Sequence, residues 1–439
     1  MSKPFLLFKG PVATRSGYGD HARDLLESLF ELDKYEIKIV PTRWGNTPQN
    51  QLNPTTDIGK KIIENCVTQI EKQPDIFVQL TVANEFEPIG KYNIGITAGV
   101  ETTIAPKEFI DGCNRMNLVI VPTKFTKQTL LDTVYDERDN RTQQLVRQIK
   151  ITTPIEVLHE GVDLETWQAP KKIDNFLEGI ETDFNFLVCG HWLQGDLGQD
   201  RKDTGMLLKT FLETFKNKPN PPALLMKTSG ATFSIMDRNE IKQKIDDIKS
   251  TVKGKLPPVY FLHGNLTDEE MNQMYNHNKV KAHITFTHGE GFGRPLLEAS
   301  LSEKIVIAPS WSGHIDFLNK NNSVLLPGTM TPVHKSALPK EMLVDGAQWF
   351  TVNYQYASKV MMDVFKKNRK YTLMAKRQSM YNRVNFSMTK MTKEFHKILN
   401  KYLPKFEEQP QQVDLKLPKL KKVDSQKPEK MKLPKLKKV

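Results

Sequence analysis

Two glutamates and three glycines crowded into fourteen residues are where this sequence offers chemistry. The stretch Thr287 to Ser300 reads THGEGFGRPLLEAS. Glu290 and Glu298 stand with seven residues between them, and Gly289, Gly291 and Gly293 alternate through the first part. The apolar run Ala282 to Phe286 ahead of it is predicted to be a buried strand. Glycine allows positive φ and lets a ligand approach backbone N–H groups. Pro295 suits the first position of a helix, which LLEASL continues. Strand, glycine loop and helix N-terminus in that order make an anion site, because free N–H groups and the positive end of the helix dipole point the same way. Glu298 is expected in the first turn, near the same mouth. The spacing alone fits a tight strand-to-helix turn with nothing bound equally well.

A bound phosphate also needs fixed positive charge. Arg201 and Lys202 precede the helical stretch MLLKTFLETF, and Lys227 ends the strand ALLM. Cations at strand ends would face a cleft, although a single surface lysine is most often merely solvated. Glu101 lies in GVETT, after the short apolar segment NIGITAG. Gly17 and Gly19 belong to the loop GPVATRSGYG, for which Asp20 is the expected helix N-cap. That loop lacks the GxGxxG dinucleotide fingerprint, so no NAD site is read there. His159 and Glu160 are read as a hydrogen-bonded linker turn rather than an acid/base pair, and His314 as structural. Thr267 and Glu270 form a capping-box pattern.

These residues need a frame. Short apolar runs recur between helical stretches: PFLLF, YEIKIV, DIFVQLTV, NIGIT and LVIV, then FNFLVC, ALLM, VYFL, AHITF and KIVIAP. Such alternation predicts two parallel, doubly wound sheets, which bind ligands beyond the carboxyl ends of their strands. A chain of 439 residues has core enough for two or three domains. No stretch approaches a membrane span, and the N-terminal apolar patch is too short for a signal peptide, so a cytoplasmic protein is expected. Cys66, Cys113 and Cys189 are odd in number and far apart, which suits a reducing compartment. The net charge is +12, yet residues 404–439 hold eleven lysines against five acids. Half the excess therefore sits in that segment, and the body is not by charge a nucleic-acid binder. The segment repeats KLPKLKKV and is expected to be disordered, either a solubilising tail or an electrostatic tether to nucleic acid, an anionic membrane or an acidic partner.

Gly289-Glu290-Gly291-Phe292-Gly293, Pro295 and Glu298-Ala299 resemble the donor-site motif of the family-4 glycosyltransferases of GT-B fold. GVETT, the segment TPIEVLHEGVD and the stretch from Arg201 to Gly230 are similar to the family more loosely. The resemblance implies a GT-B fold, α/β, with two doubly wound Rossmann-like domains facing across a cleft. Its boundaries would be 1–165 for the acceptor side, 166–375 for the nucleotide-sugar side and 376–403 for a helix crossing back; the resemblance does not extend to 404–439, the tail that composition alone reads as disordered. It implies a nucleotide-sugar co-substrate, no other cofactor, no metal, and transfer with retention. Catalytic roles would fall to Glu290 and Glu101, the latter standing where the family often has histidine. Donor-binding roles would fall to Gly17, Gly19, Arg201, Lys202, Lys227, Leu266, Gly291, Phe292, Gly293, Arg294 and Glu298. Arg294 departs from the apolar residue many members carry. Two other readings use the same residues: a glycoside hydrolase with Glu290 and Glu298 as its carboxylates, and a non-catalytic nucleotide-binding scaffold recruited by the lysine-rich tail.

Overall fold

The computed structural model describes residues 3–173, 177–230, 232–337 and 342–406; the expected basic tail lies outside them from residue 407 onward. The first half runs β1 (Phe5–Gly10), α1 (Gly17–Leu32), β2 (Glu36–Pro41), α2 (Asp57–Asn65), β3 (Ile76–Leu80), β4 (Tyr92–Ile96), α3 (Lys107–Asn114), β5 (Leu118–Val121), α4 (Lys124–Asp132), β6 (Tyr135–Arg138), β7 (Leu145–Ile149) and β8 (Ile155–Val157). The second runs β9 (Asn185–His191), α5 (Thr204–Phe215), β10 (Ala223–Ser229), α6 (Ile235–Ser250), β11 (Val259–Leu262), α7 (Asp268–Asn276), β12 (Val280–Ile284), α8 (Arg294–Leu301), β13 (Ile305–Pro309), β14 (Val324–Leu326), β15 (Gly328–Pro332) and β16 (Gln348–Val352). Helices α9 (Tyr354–Lys366), α10 (Asn368–Asn385) and α11 (Met388–Tyr402) follow.

Each half is built on a six-stranded sheet, ordered β2-β1-β3-β4-β5-β8 in the first and β11-β10-β9-β12-β13-β14 in the second. Every ladder in both sheets is parallel. Parallel strands are covered on both faces, so they read as unbroken apolar runs. In β9, Phe186 and Val188 enter one buried cluster, while Leu187 and Cys189 pack with another. Successive side chains of a strand point to opposite faces, so one strand feeds both layers. Strand order reverses between β1 and β3 in the first sheet and between β9 and β12 in the second. A ligand crevice opens at the carboxyl ends where such reversals occur.

The last two helices divide their packing. α10 lies on α8 and β13. Beside buried Tyr371 and Ala375, three of its inward residues are polar and bonded: Gln378 reaches Phe317 O (2.7 Å), Ser379 reaches Leu301 O (3.0 Å) and Asn382 reaches Ser300 Oγ (2.7 Å). The chain turns at Phe386, where Val162 N donates to Phe386 O and Val162 O accepts from Met388 N. α11 then lies along α1, with Ser28 and Thr392 hydroxyls 2.9 Å apart and Lys401 on Glu156 at 2.6 Å.

Two local expectations are corrected. The N-cap of α1 is Ser16, not Asp20: Ser16 is extended (φ −153°, ψ 159°), and its Oγ accepts from Gly19 N. Asp20 falls in the first turn instead. α8 starts at Arg294, which puts Pro295 second and Glu298 in the second turn, one turn above Arg294 on the same face. The capping box at Thr267 and Glu270 is present in both directions.

Candidate active site

The reversal between β9 and β12 brings two loops together. The first, after β9, carries Arg201 and Lys202 just before α5. Asp203 caps that helix in the left-handed region (φ 49°), and its buried carboxylate accepts from the Tyr354 hydroxyl at 2.7 Å. The second loop, after β12, carries the three glycines and Glu290. The loops are cross-braced: His288 N donates to Arg201 O at 2.8 Å and Arg201 Nη1 to Gly289 O at 3.1 Å; Glu290 N is held separately by Ser312 Oγ, beyond β13, at 2.9 Å.

Glu290 is the hub. Lys202 Nζ lies 2.5 Å from its Oε1 and Arg201 Nη1 lies 3.6 Å from its Oε2. Arg201 also reaches Glu101 Oε1 at 3.2 Å, from the other half of the chain. Burial would raise the Glu290 carboxyl, but Lys202 and Arg201 outweigh it and hold the group down at about 2. Burial lowers the Lys202 ammonium despite the pull of Glu290. The result is a carboxylate fixed in its ionised form and two cations fixed in direction. Positive charge held in place before a reaction stabilises developing negative charge without reorganisation.

The glycines serve two ends. Gly293 alone takes a left-handed conformation (φ 99°). A Cβ on Gly289 would stand 2.6 Å from Glu101 O, and one on Gly291 would stand 2.9 Å from Ala98 O. These two therefore let the halves touch. Thr123 Oγ1 completes that contact by donating to Gly291 O at 2.9 Å. Among the described residues no acceptor is bonded to the N–H groups of Gly291, Phe292, Gly293 or Arg294. They are the free donors a helix start presents to an anion.

A second cluster centres on Arg294. Its guanidinium meets Asp24, Glu160 (3.7 Å) and Glu298 (3.0 Å), so it bridges the halves rather than reaching into the loop. Burial, together with Asp24 and Asp20, pushes Glu160 up to about 8 even though Arg294 opposes it. Burial likewise raises Asp24 and Glu298. His21, 4.0 Å from Glu160, is pushed down to about 3 by burial and by Arg294.

The remaining predicted residues fall around these clusters. Lys227 lies on β10; its Nζ donates to Gly264 O at 2.8 Å and sits 5.8 Å from the Phe233 ring. The Phe292 ring is buried against Phe317, and Leu266 packs onto the core beneath. Gly17 opens α1 with space around it, whereas a Cβ on Gly19 would stand 2.3 Å from Thr14 O. Tyr18 between them accepts from Ala98 N at 2.9 Å and stacks on Trp44, ring centres 3.9 Å apart. Glu290, Glu101, Arg201 and Lys202 thus come together; Glu298 and Arg294 belong to the neighbouring cluster. His159 bonds Pro122 O at 2.8 Å, as a linker residue does, and buried His314 bonds Pro309 O at 2.7 Å. Sequence reasoning missed Asp24, His21, Ser312 and His191. His191 ends β9, where burial and then the charges of Lys202, Lys227 and Arg201 keep it neutral. Its place at a strand end in GHW was the signal available. Among the described residues no group of three or more His, Cys, Asp and Glu is placed to hold a metal ion, and no helix is long and apolar enough to cross a membrane.

No protein-family model matches the chain, and no curated protein does either. Solved structures do. The chain has the GT-B fold. It is similar to sucrose-phosphate synthase of Thermosynechococcus elongatus (TM-score 0.60, 12% identity, 91% of this chain and 98% of that one). It is similar to a glycosyltransferase of Rickettsia africae (TM-score 0.59, 15% identity, 92% and 100%). It is also similar to Anabaena HepE in complex with UDP and glucose (TM-score 0.55, 13% identity, 91% and 100%). At these identities the likeness is one of fold.

Proposed function

We propose that the chain is a glycosyltransferase that moves a sugar from a nucleotide-diphosphate donor to an acceptor, with retention and without a metal. The observation that carries this is the convergence of Arg201, Lys202 and the unbonded N–H groups of residues 291–294 at one sheet reversal, with Glu290 at their centre. In the proposed reaction the bond from the anomeric carbon to the diphosphate oxygen breaks. Arg201, Lys202 and the start of α8 take up the charge that the leaving oxygens gain. Glu290 orients the sugar hydroxyls and favours positive charge at the anomeric carbon. The acceptor oxygen bonds to that carbon on the face the diphosphate leaves. Its proton passes to the departing diphosphate oxygen, the nearest base on that face. Contact between the halves through Gly289 and Gly291 excludes water, which would otherwise hydrolyse the donor.

The hydrolase reading is weaker, because Lys202 and Arg201 already engage Glu290, and hydrolysis has no diphosphate for them to stabilise. The test is a thermal-shift titration with UDP, GDP, ADP and their sugars. UDP-glucose comes first, since HepE was crystallised with it. A selective rise in melting temperature that Lys202→Met abolishes supports the proposal. No shift with any nucleotide refutes it.

A further inference from the structure

Helix α10 is apolar on two faces. Its inward face holds Tyr371 and Ala375 together with Gln378, Ser379 and Asn382, the last three bonded as described above. A second apolar set faces water: Leu373 is 62% exposed, Met380 69% and Val384 71%. At 3.6 residues per turn these three fall within an arc of ~40° on one face. Arg369 and Lys376 line one side of that ridge; Lys370 and Arg377 line the other, with Tyr381 beyond. The helix has five cations, Arg369, Lys370, Lys376, Arg377 and Arg383, and not one acid in its eighteen residues. Of these only Arg383 is turned inward, on Trp167 O and Leu301 O. The neighbouring acids are few: Glu303 lies 3.9 Å from Lys376, and Asp363 pairs with Lys367.

We propose that this face docks the protein on an anionic membrane surface. A helix lying in a bilayer interface needs an apolar ridge flanked by cations, because the ridge enters the acyl boundary while the cations meet anionic headgroups. Nucleic acid would satisfy the cations but leave Leu373, Met380 and Val384 in water. Their exposure is therefore the feature that selects lipid. The docking is independent of the donor chemistry proposed above and is tested without it.

The full-length protein is sedimented with vesicles of phosphatidylcholine alone and of phosphatidylcholine mixed with phosphatidylglycerol. The expected result is binding to the anionic vesicles only. The triple variant Leu373→Ser, Met380→Ser, Val384→Ser keeps every cation, including the lysines beyond residue 404. Its partitioning should fall about tenfold or more, with an unchanged melting temperature, since the three side chains touch solvent. The variant Arg369→Glu, Lys370→Glu, Arg377→Glu should also fail to bind. Absence of wild-type binding to anionic vesicles overturns the proposal. So does equal binding of the wild type and the serine variant to anionic vesicles, because the interaction would then be charge alone.

Discussion

Replacing Glu160 by glutamine isolates what the Arg294 cluster costs the fold as pH rises. Glu160 ionises near the ordinary glutamate value of 4.5 when unfolded and at about 8 in the fold, chiefly because burial penalises the charged form. A group whose folded pKa is raised contributes stability that is complete below 4.5 and is lost as pH climbs to about 8. Each pH unit in that window is worth about 1.4 kcal/mol, so the wild type loses ~3 kcal/mol by pH 7 and ~4–5 kcal/mol by pH 9 through this group. Glutamine keeps the shape and stays neutral. The Glu160→Gln protein should therefore match the wild type near pH 5 and exceed it progressively above pH 6. Asp24 and Glu298 are raised by burial as well, so the variant retains a slope of its own. The quantity to read is the difference between two melting curves taken from pH 5 to 9. Parallel pH dependences for the two proteins would refute the reasoning, since they would mean that Glu160 is ionised in the fold and paired with Arg294 at no net cost.

Three further perturbations bear on the site and its support. Lys202→Met leaves Glu290 buried beside Arg201 alone; stability should drop by about 3–5 kcal/mol at neutral pH, and nucleotide-sugar affinity by about 10–100-fold in calorimetric titration. Gly291→Ala sets a methyl 2.9 Å from Ala98 O and 3.0 Å from Ala98 Cβ, so the halves cannot meet; turnover should fall ~100-fold while the far-ultraviolet spectrum is unchanged. Asn382→Leu removes the donor to Ser300 Oγ, which keeps its own bond to Leu297 O, and the acceptor 3.0 Å from Gln378 Nε2, which keeps Phe317 O; chemical unfolding should read a loss of about 1–2 kcal/mol.

What could be read in the sequence was what is contiguous in the chain. Strand, glycine loop and helix from 282 to 301 follow one another, and each announces itself by local composition. The parallel sheets followed from apolar runs set between helical stretches, because strands covered on both faces have no polar face to show. Arg201 and Lys202 could be placed ahead of a helix because the helical stretch MLLKTFLETF follows them closely. Arg294 could not be understood this way. Its partner Asp24 is 270 residues distant, and nothing near either residue marks the other. The same holds for Glu160, whose surroundings come from α1 and α8 together. Helix α10 was not legible this way either: Leu373, Met380 and Val384 point outward, while carbonyls and hydroxyls of the adjoining elements bond Gln378, Ser379 and Asn382 on the inward face beside Tyr371 and Ala375.

The glycine loop shows how one local pattern can answer two different demands. Three glycines ahead of a helix were read as room for a ligand, and free N–H groups do stand there. Yet what crowds Gly289 and Gly291 is Glu101 O and Ala98 O of the opposite half. A backbone that must admit a phosphate and a backbone that must admit a neighbouring domain both exclude a Cβ, so glycine answers either demand. The two causes separate only by experiment. If Gly291→Ala weakens nucleotide binding and turnover equally, the hydrogen makes room for the ligand. If binding survives and turnover alone falls, it makes room for the other half. The 2.9 Å approach to Ala98 O favours the second outcome.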